Sequence, residues 1–281
     1  MTITVDSVGL DAVEAERRAE LGPLRVAADV ALLAQRNLTK VRRNVRFIVI
    51  TTIQPTLQLV LFSFVFGSIV DIPGYRNLIV PSVLIQTITF TAMGAGVGIA
   101  NDVNTGMVER LRSLPIARSA FLVGRAVADG VRISLQTALL IVVAGLIGFR
   151  FTNGFLPGVA AVVAVVLFGV ALTCFSMWVG FAARDAEIVQ AATFIPLLPL
   201  LFTSSAFSPV SHLPEPMRAL AAWNPFTAAI DTVRGLSMGD EAMAVMGAPG
   251  LPGAALQFAL WWLVITGLFT TLAIRRYRTG R

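Results

Sequence analysis

The sequence predicts an all-α integral membrane protein with six transmembrane helices. Three observations predict it. Of 281 residues, 56% are hydrophobic and 14% are charged, and the mean hydropathy is +0.78. A soluble domain of this size carries about a quarter of its residues charged. Six apolar runs reach the roughly twenty residues that a helix needs to cross a bilayer. The 22 basic residues, Lys40 the only lysine among them, gather beside those runs on one side, as the positive-inside rule requires.

The elements follow in chain order. Residues 1–23 form a polar, acidic arm (Asp6, Asp11, Glu14, Glu16 and Glu20) with neither the basic start nor the apolar core of a secretory signal. Over residues 24–43, Ala27, Ala31, Ala34, Leu38 and Val41 recur at helical spacing on one face. Arg25, Asp29, Arg36, Lys40 and Arg43 recur on another. This is an amphipathic helix punctuated by Gly22-Pro23. It either lies along the inner leaflet, through its basic face, or is a solvated surface helix. The six spans are expected near 47–70, 78–100, 133–149, 157–181, 188–207 and 256–274. Connections 71–77, 150–156 and 208–255 then face one side, and 101–132 and 182–187 face the other with both termini. The termini side holds 18 lysines and arginines and the opposite side 4, Arg76, Arg150, Arg218 and Arg234. Both termini are therefore expected in the cytoplasm. Segment 208–255 is rich in turn residues, chiefly Pro and Gly, yet keeps the apolar pieces 217–223 and 226–236. Re-entrant or interfacial half-helices before the last span fit it, with Trp223 and Phe226 at the interface; a surface loop is the alternative.

The charged stretch 101–118, NDVNTGMVERLRSLPIAR, lies on the cytoplasmic side of this topology. Read as one helix from Val103 to Leu114, it carries an apolar stripe of Val103, Met107, Leu111 and Leu114. Asn101, Thr105 and Arg112 fall on another face. Glu109 can pair with Arg112 three residues on, and Pro115 ends the helix. Such an element either fills a socket on a partner protein or rests on lipid headgroups. Arg125, Asp129 and Arg132 follow at spacings of four and three. They form an ion-pair ladder that fixes the cytoplasmic end of the third span.

Polar residues inside the spans are uncharged. Thr51, Gln54 and Gln58 share a face of the first, Ser82, Gln86 and Thr89 a face of the second, and Phe90 follows them. They either bond between helices or line a substrate path, for which Gln54, Gln58, Gln86, Thr89 and Phe90 are the candidates. Gly94 and Gly98, with Gly96, predict close helix packing. Without ionisable residues at mid-span, an ion- or proton-coupled carrier lacks its usual relay, and an intramembrane hydrolase lacks its catalytic cluster. Cys174 in an apolar run reads as core filler and His212 as a loop residue, so no metal site is expected. The only lysine, Lys40, is followed by Val41 and preceded by no glycine-rich turn, so the chain holds no Walker A loop. The arginines adjoin apolar spans and are not interleaved with aromatics, so no nucleic-acid partner is expected.

The stretch GMVERLRSLPIARSAFLVGRAVADGVR, residues 106–132, resembles the cytoplasmic signature of type-2 ATP-binding-cassette (ABC) exporter permeases. WNPFTAAIDTVRGL, residues 223–236, resembles their second recurring segment. The chain looks most like the daunorubicin-resistance permeases of actinobacteria. The resemblance implies that Asn101, Met107, Glu109, Arg110, Leu111, Arg112, Leu114 and Pro115 belong to a coupling helix seated on a separate nucleotide-binding subunit. Helix 24–43, with Arg36, Lys40 and Arg43, becomes the connecting helix, and 44–281 the six-span domain. It also implies two permeases, identical or related, with two ATPase subunits in a bacterial plasma membrane. This chain then binds no cofactor, and ATP and magnesium belong to the partner. The apolar path suits a hydrophobic drug or lipid-like cargo. A proton-coupled efflux carrier, or an exporter of polysaccharide or other cargo, is the competing expectation.

Overall fold

The computed structural model describes residues 45–66, 74–112 and 118–279, with Ala31 and Gln35 before them. The described residues form helices and turns without a strand. Helix α1 (Val45–Leu61) runs into a π-helical turn, Phe62–Phe66. Helix α2 (Tyr75–Asn104) is followed by the short α3 (Met107–Arg112). Then come α4 (Arg118–Ile147), α5 (Phe155–Ala183) and α6 (Ala186–Phe202). Three shorter helices, α7 (Glu215–Ala222), α8 (Pro225–Met238) and α9 (Asp240–Val245), precede the long α10 (Leu251–Thr279).

By length and composition, four helices can cross a bilayer: α2, α4, α5 and α10. Helices α1 and α6 have 17 residues each, about 25 Å of rise, below the roughly 30 Å of hydrocarbon. Prolines occur inside both, Pro55 in α1 and Pro196 and Pro199 in α6. Each removes one backbone donor, which neighbouring helices can offset.

Helix α2 is the central post. Of its most apolar window 83% is buried, against 11% for α10, so α2 is wrapped by protein and α10 presents Leu256, Leu260, Leu263, Val264 and Leu268 outward. Helices α2 and α5 approach backbone to backbone. A Cβ on Gly96 would lie 2.3 Å from the Ser176 carbonyl oxygen, and one on Gly180 would lie 2.5 Å from that of Gly96. Gly96 is thus the packing glycine; arginines from α4 occupy the space beside Gly98 and Gly94. Helix α8 packs against α2, α5, α6 and α10, with Phe226, Ala228, Ala229, Ile230 and Val233 in the main core. Asn224 caps its first turn by accepting from Phe226 N at 2.8 Å and donates to Leu200 O at 2.6 Å. One residue therefore starts α8 and ties it to α6.

Two expectations are corrected. Chain 103–114 is not one helix: α2 ends at Asn104, Thr105 and Gly106 turn, and α3 starts at Met107. Gly106 has φ +69°, a left-handed conformation that glycine adopts without steric cost. The third span is also not preceded by a loop reaching Arg132. Helix α4 begins at Arg118, so Arg125, Asp129 and Arg132 are continuous with the apolar part. Of the expected connecting helix, Ala31 and Gln35 are helical and exposed; Arg36, Lys40 and Arg43 lie outside the described residues.

Candidate functional site

Helices α2 and α4 have 30 residues each. That is about 45 Å of rise, so both extend past a hydrocarbon layer of roughly 30 Å. The charged turn between them sits at this extension. The amides of Thr105 and Gly106 close the end of α2 on Asn101 O and Val103 O, each at 3.0 Å. Arg110 N then bonds Gly106 O at 3.1 Å and fixes the first turn of α3. Val108, 2% exposed, anchors α3 in an apolar cluster with Ile99, Phe121, Leu122, Phe181 and Tyr277. Val103 and Met107 pack on the same cluster.

The apolar stripe expected to face a partner is therefore used, through Val103 and Met107, to seat α3 on its own bundle. Glu109 and Arg110 are exposed on α3, and Asn101, Asn104 and Thr105 on the turn that leads to it. Leu111 and Arg112 complete α3. Leu114 and Pro115 lie outside the described residues. A short helix braced by buried apolar contacts, with polar groups outward, can pass a push to α2 and α4.

A ladder of charges continues from this turn along the α2–α4 contact. Arg125 donates from Nη1 to Asp102 Oδ2. Asp129 Oδ2 lies 3.9 Å from Arg125 Nε, and Asp129 Oδ1 lies 3.9 Å from Arg132 Nη2. Arg132 Nη2 donates to Thr91 O at 2.5 Å. Thr91 Oγ1 donates to Gln136 Oε1, also at 2.5 Å. The three α4 residues sit together. Their cross-helix partner Asp102 was not assigned a role by spacing, because 23 residues separate it from Arg125.

The candidate path residues divide. Gln54 is exposed on α1, and Phe90 is 36% exposed on α2. Gln58 Nε2 donates to the buried Gln86 Oε1 at 2.9 Å and joins α1 to α2. Thr89 is buried and bonds its own helix at Ile85 O, 2.7 Å away. Phe90 stacks on Phe194 of α6 with ring centroids 6.4 Å apart, a partner with no signal in local sequence.

At the far end of α2, Arg234 and Asp231 of α8 form a buried ion pair, Nη1 to Oδ1 at 2.7 Å. Ser205 Oγ donates to the same carboxylate oxygen at 2.7 Å. Arg234 Nη2 donates to Ser205 O at 3.1 Å, and to Leu78 O and Ser82 Oγ at 3.4 Å each. Arg234 is 0% exposed, so it is no water-facing cation of the outer side. The i, i+3 spacing of Asp231 and Arg234 was the available signal. These charged residues lie outside the six expected spans yet pack within the bundle. Each buried acid has an arginine beside it, unlike a lone proton-relay carboxylate.

The model of the ABC-2 type transporter family matches residues 28–238 of this chain. The daunorubicin resistance ABC transporter permease protein DrrB1 of Streptomyces coeruleorubidus is 27% identical over 228 residues. That alignment covers 80% of this chain and 77% of the relative. The probable doxorubicin resistance ABC transporter permease protein DrrC of Mycobacterium tuberculosis is 22% identical over 222 residues, 78% of this chain and 80% of that protein. The matched segment contains both the charged turn and the buried pair. This chain belongs to the ABC-2 type transporter family.

Proposed function

We propose that this permease subunit of an ABC exporter moves a hydrophobic drug or lipid-like cargo outward across a bacterial plasma membrane, and that a separate ATPase subunit pushes on α3. One observation carries the reading. Helix α3 is seated on its own bundle by Val108 and presents Glu109 and Arg110 at the end of two helices longer than a bilayer. The drug-resistance names of the two relatives support the cargo class.

Six spans complete the topology. Helix α1 and its π turn add 17 and 5 residues, together about 33 Å. Helix α6 is extended by the turn at Ser204 and Ser205, both buried in protein, where irregular backbone is tolerated at membrane depth. Helix α8 enters from outside as a re-entrant element and returns through α9. Both termini lie in the cytoplasm. Two such permeases, identical or related, join two ATPase subunits, where ATP and magnesium bind. Gln54, Gln58, Phe90 and Phe194 border the cargo path.

The test replaces Arg110, Leu111 and Arg112 together with alanine. The expected result is loss of ATP-dependent doxorubicin efflux and of the co-purified ATPase. Full retention of both contradicts the coupling role. Efflux driven by a proton gradient without ATP contradicts the exporter reading.

A further inference from the structure

We infer that Asp129 is the second seat of a two-position arginine clasp between α2 and α4, and that α3 throws the clasp. In this structure Arg125 and Arg132 of α4 are both drawn across to α2. Arg125 is held by Asp102, and Arg132 by the Thr91 carbonyl. Their own-helix acid, Asp129, is left between them with each arginine 3.9 Å away. Arg125 Nε and Asp129 Oδ2 are both buried and both without a hydrogen-bond partner, and they face each other across that gap. Arg132 Nε is likewise buried and unpartnered.

Opposite charges left one ångström short of a bond mark a second arrangement within reach. In the low dielectric of a bundle, unmade hydrogen bonds are costly and made ones strong. Rotation of the side chains, with α2 and α4 moving apart as the crossing bonds break, would close Arg125 on Asp129 at i, i+4 and Arg132 on Asp129 at i, i+3, the natural spacings within one helix. The clasp thus has a crossed state, bonded to α2, and a folded-back state, bonded within α4. Packed interfaces with two discrete arrangements turn small displacements into switches.

The location assigns the trigger. Asp102 lies in the last turn of α2, just before Thr105, Gly106 and α3. A displacement of α3 reaches Asp102 before any other member of the ladder. One of two glycines beside the arginines bears on the crossed state. A Cβ on Gly98 would lie 2.0 Å from Arg125 Nη2, whereas one on Gly94 would lie 3.6 Å from Arg132 Nη2, an ordinary contact. An alanine at Gly98 would therefore have to displace the Arg125 guanidinium, the flexible end of its side chain, whereas one at Gly94 would leave Arg132 in place. Asp129 acts through the arginines and is a positioning residue. The trigger rests on the exporter reading above; the two-state clasp does not.

The test uses the full chain with its co-expressed ATPase in nanodiscs, with Cys174→Ala as background. Nitroxide labels sit at N104C and V123C, both exposed positions, and labelled chain is diluted with unlabelled chain. Dipolar distances then report how α2 and α4 sit. Asp102→Asn should raise the folded-back population, and Asp129→Asn the crossed population, each about fivefold or more. Gly98→Ala keeps every charge and should shift the same way as Asp102→Asn, while Gly94→Ala should match the unaltered chain. A merely structural ladder would lower thermal stability in both acid variants without opposite shifts. Shifts in the same direction, or no shift in either acid variant, overturn the clasp. If the opposite shifts occur but ATP with vanadate does not move the unaltered complex, the clasp stands and its throw by α3 is overturned.

Discussion

At the residue scale, the buried Asp231–Arg234 pair ties α8 to α2 and to the Ser205 turn. Removing one charge strands the other, which costs about 3–5 kcal/mol, whereas replacing both with apolar residues restores much of it. Arg234→Met should therefore lower the denaturation midpoint in detergent sharply, and Asp231→Leu with Arg234→Met should recover most of the loss. The sequence shows these residues three apart but not how deep they lie, so a topology count read Arg234 as an outer cation. The glycines teach the same lesson. Gly94 and Gly98 have the familiar spacing, yet Gly96 meets the α5 backbone because the contact depends on which face α5 approaches. Gly180→Ala must push its Cβ against the Gly96 carbonyl, an overpacking that costs about 1–3 kcal/mol. Gly267→Ala, with nothing within 4 Å, should not lower the thermal midpoint, since alanine is the better helix former.

At the element scale, the apolar runs made the long helices legible. Helices α7 and α8 were legible as the apolar pieces 217–223 and 226–236. Two boundaries were not. The third span was expected to start near residue 133 because a hydropathy count stops at charges. Helix α4 runs on to Arg118 because Arg125 and Arg132 find partners on α2, a relation that no single segment reveals. The break at Thr105-Gly106 was missed because the apolar spacing of Val103 and Met107 continues across it. Both residues do face one cluster, but a left-handed glycine joins two helices there. Asn224 carries the next prediction. Asn224→Ala loses the cap of α8, worth about 1 kcal/mol, and also the bond to Leu200 O. Hydrogen exchange of the first turn of α8 should quicken more than an isolated cap loss allows. Asp185→Ala is the comparison: it caps α6 through Glu187 N and Ile188 N and makes no bond to another helix among the described residues. Equal effects of the two changes would contradict a tie between α8 and α6.

At the scale of the whole molecule, the chain is a set of long helices around α2, with a polar knob at one end and a buried ion pair at the other. The family was legible from the two segments that carry these features, and the match over residues 28–238 agrees. The cargo path was less legible, because Phe90 meets Phe194 from a distant helix and Thr89 spends its hydroxyl on its own backbone. The central claim is that force enters at α3 from a nucleotide-binding subunit on the cytoplasmic side. The most direct measurement places a cysteine at Arg110 in the Cys174→Ala background and probes it from both faces of the membrane. A membrane-impermeant maleimide should leave R110C unmodified in intact cells, and a short bifunctional reagent should join it to the co-expressed ATPase in inside-out vesicles. Modification from outside the cell, with no cross-link to the ATPase in the vesicles, would contradict that claim.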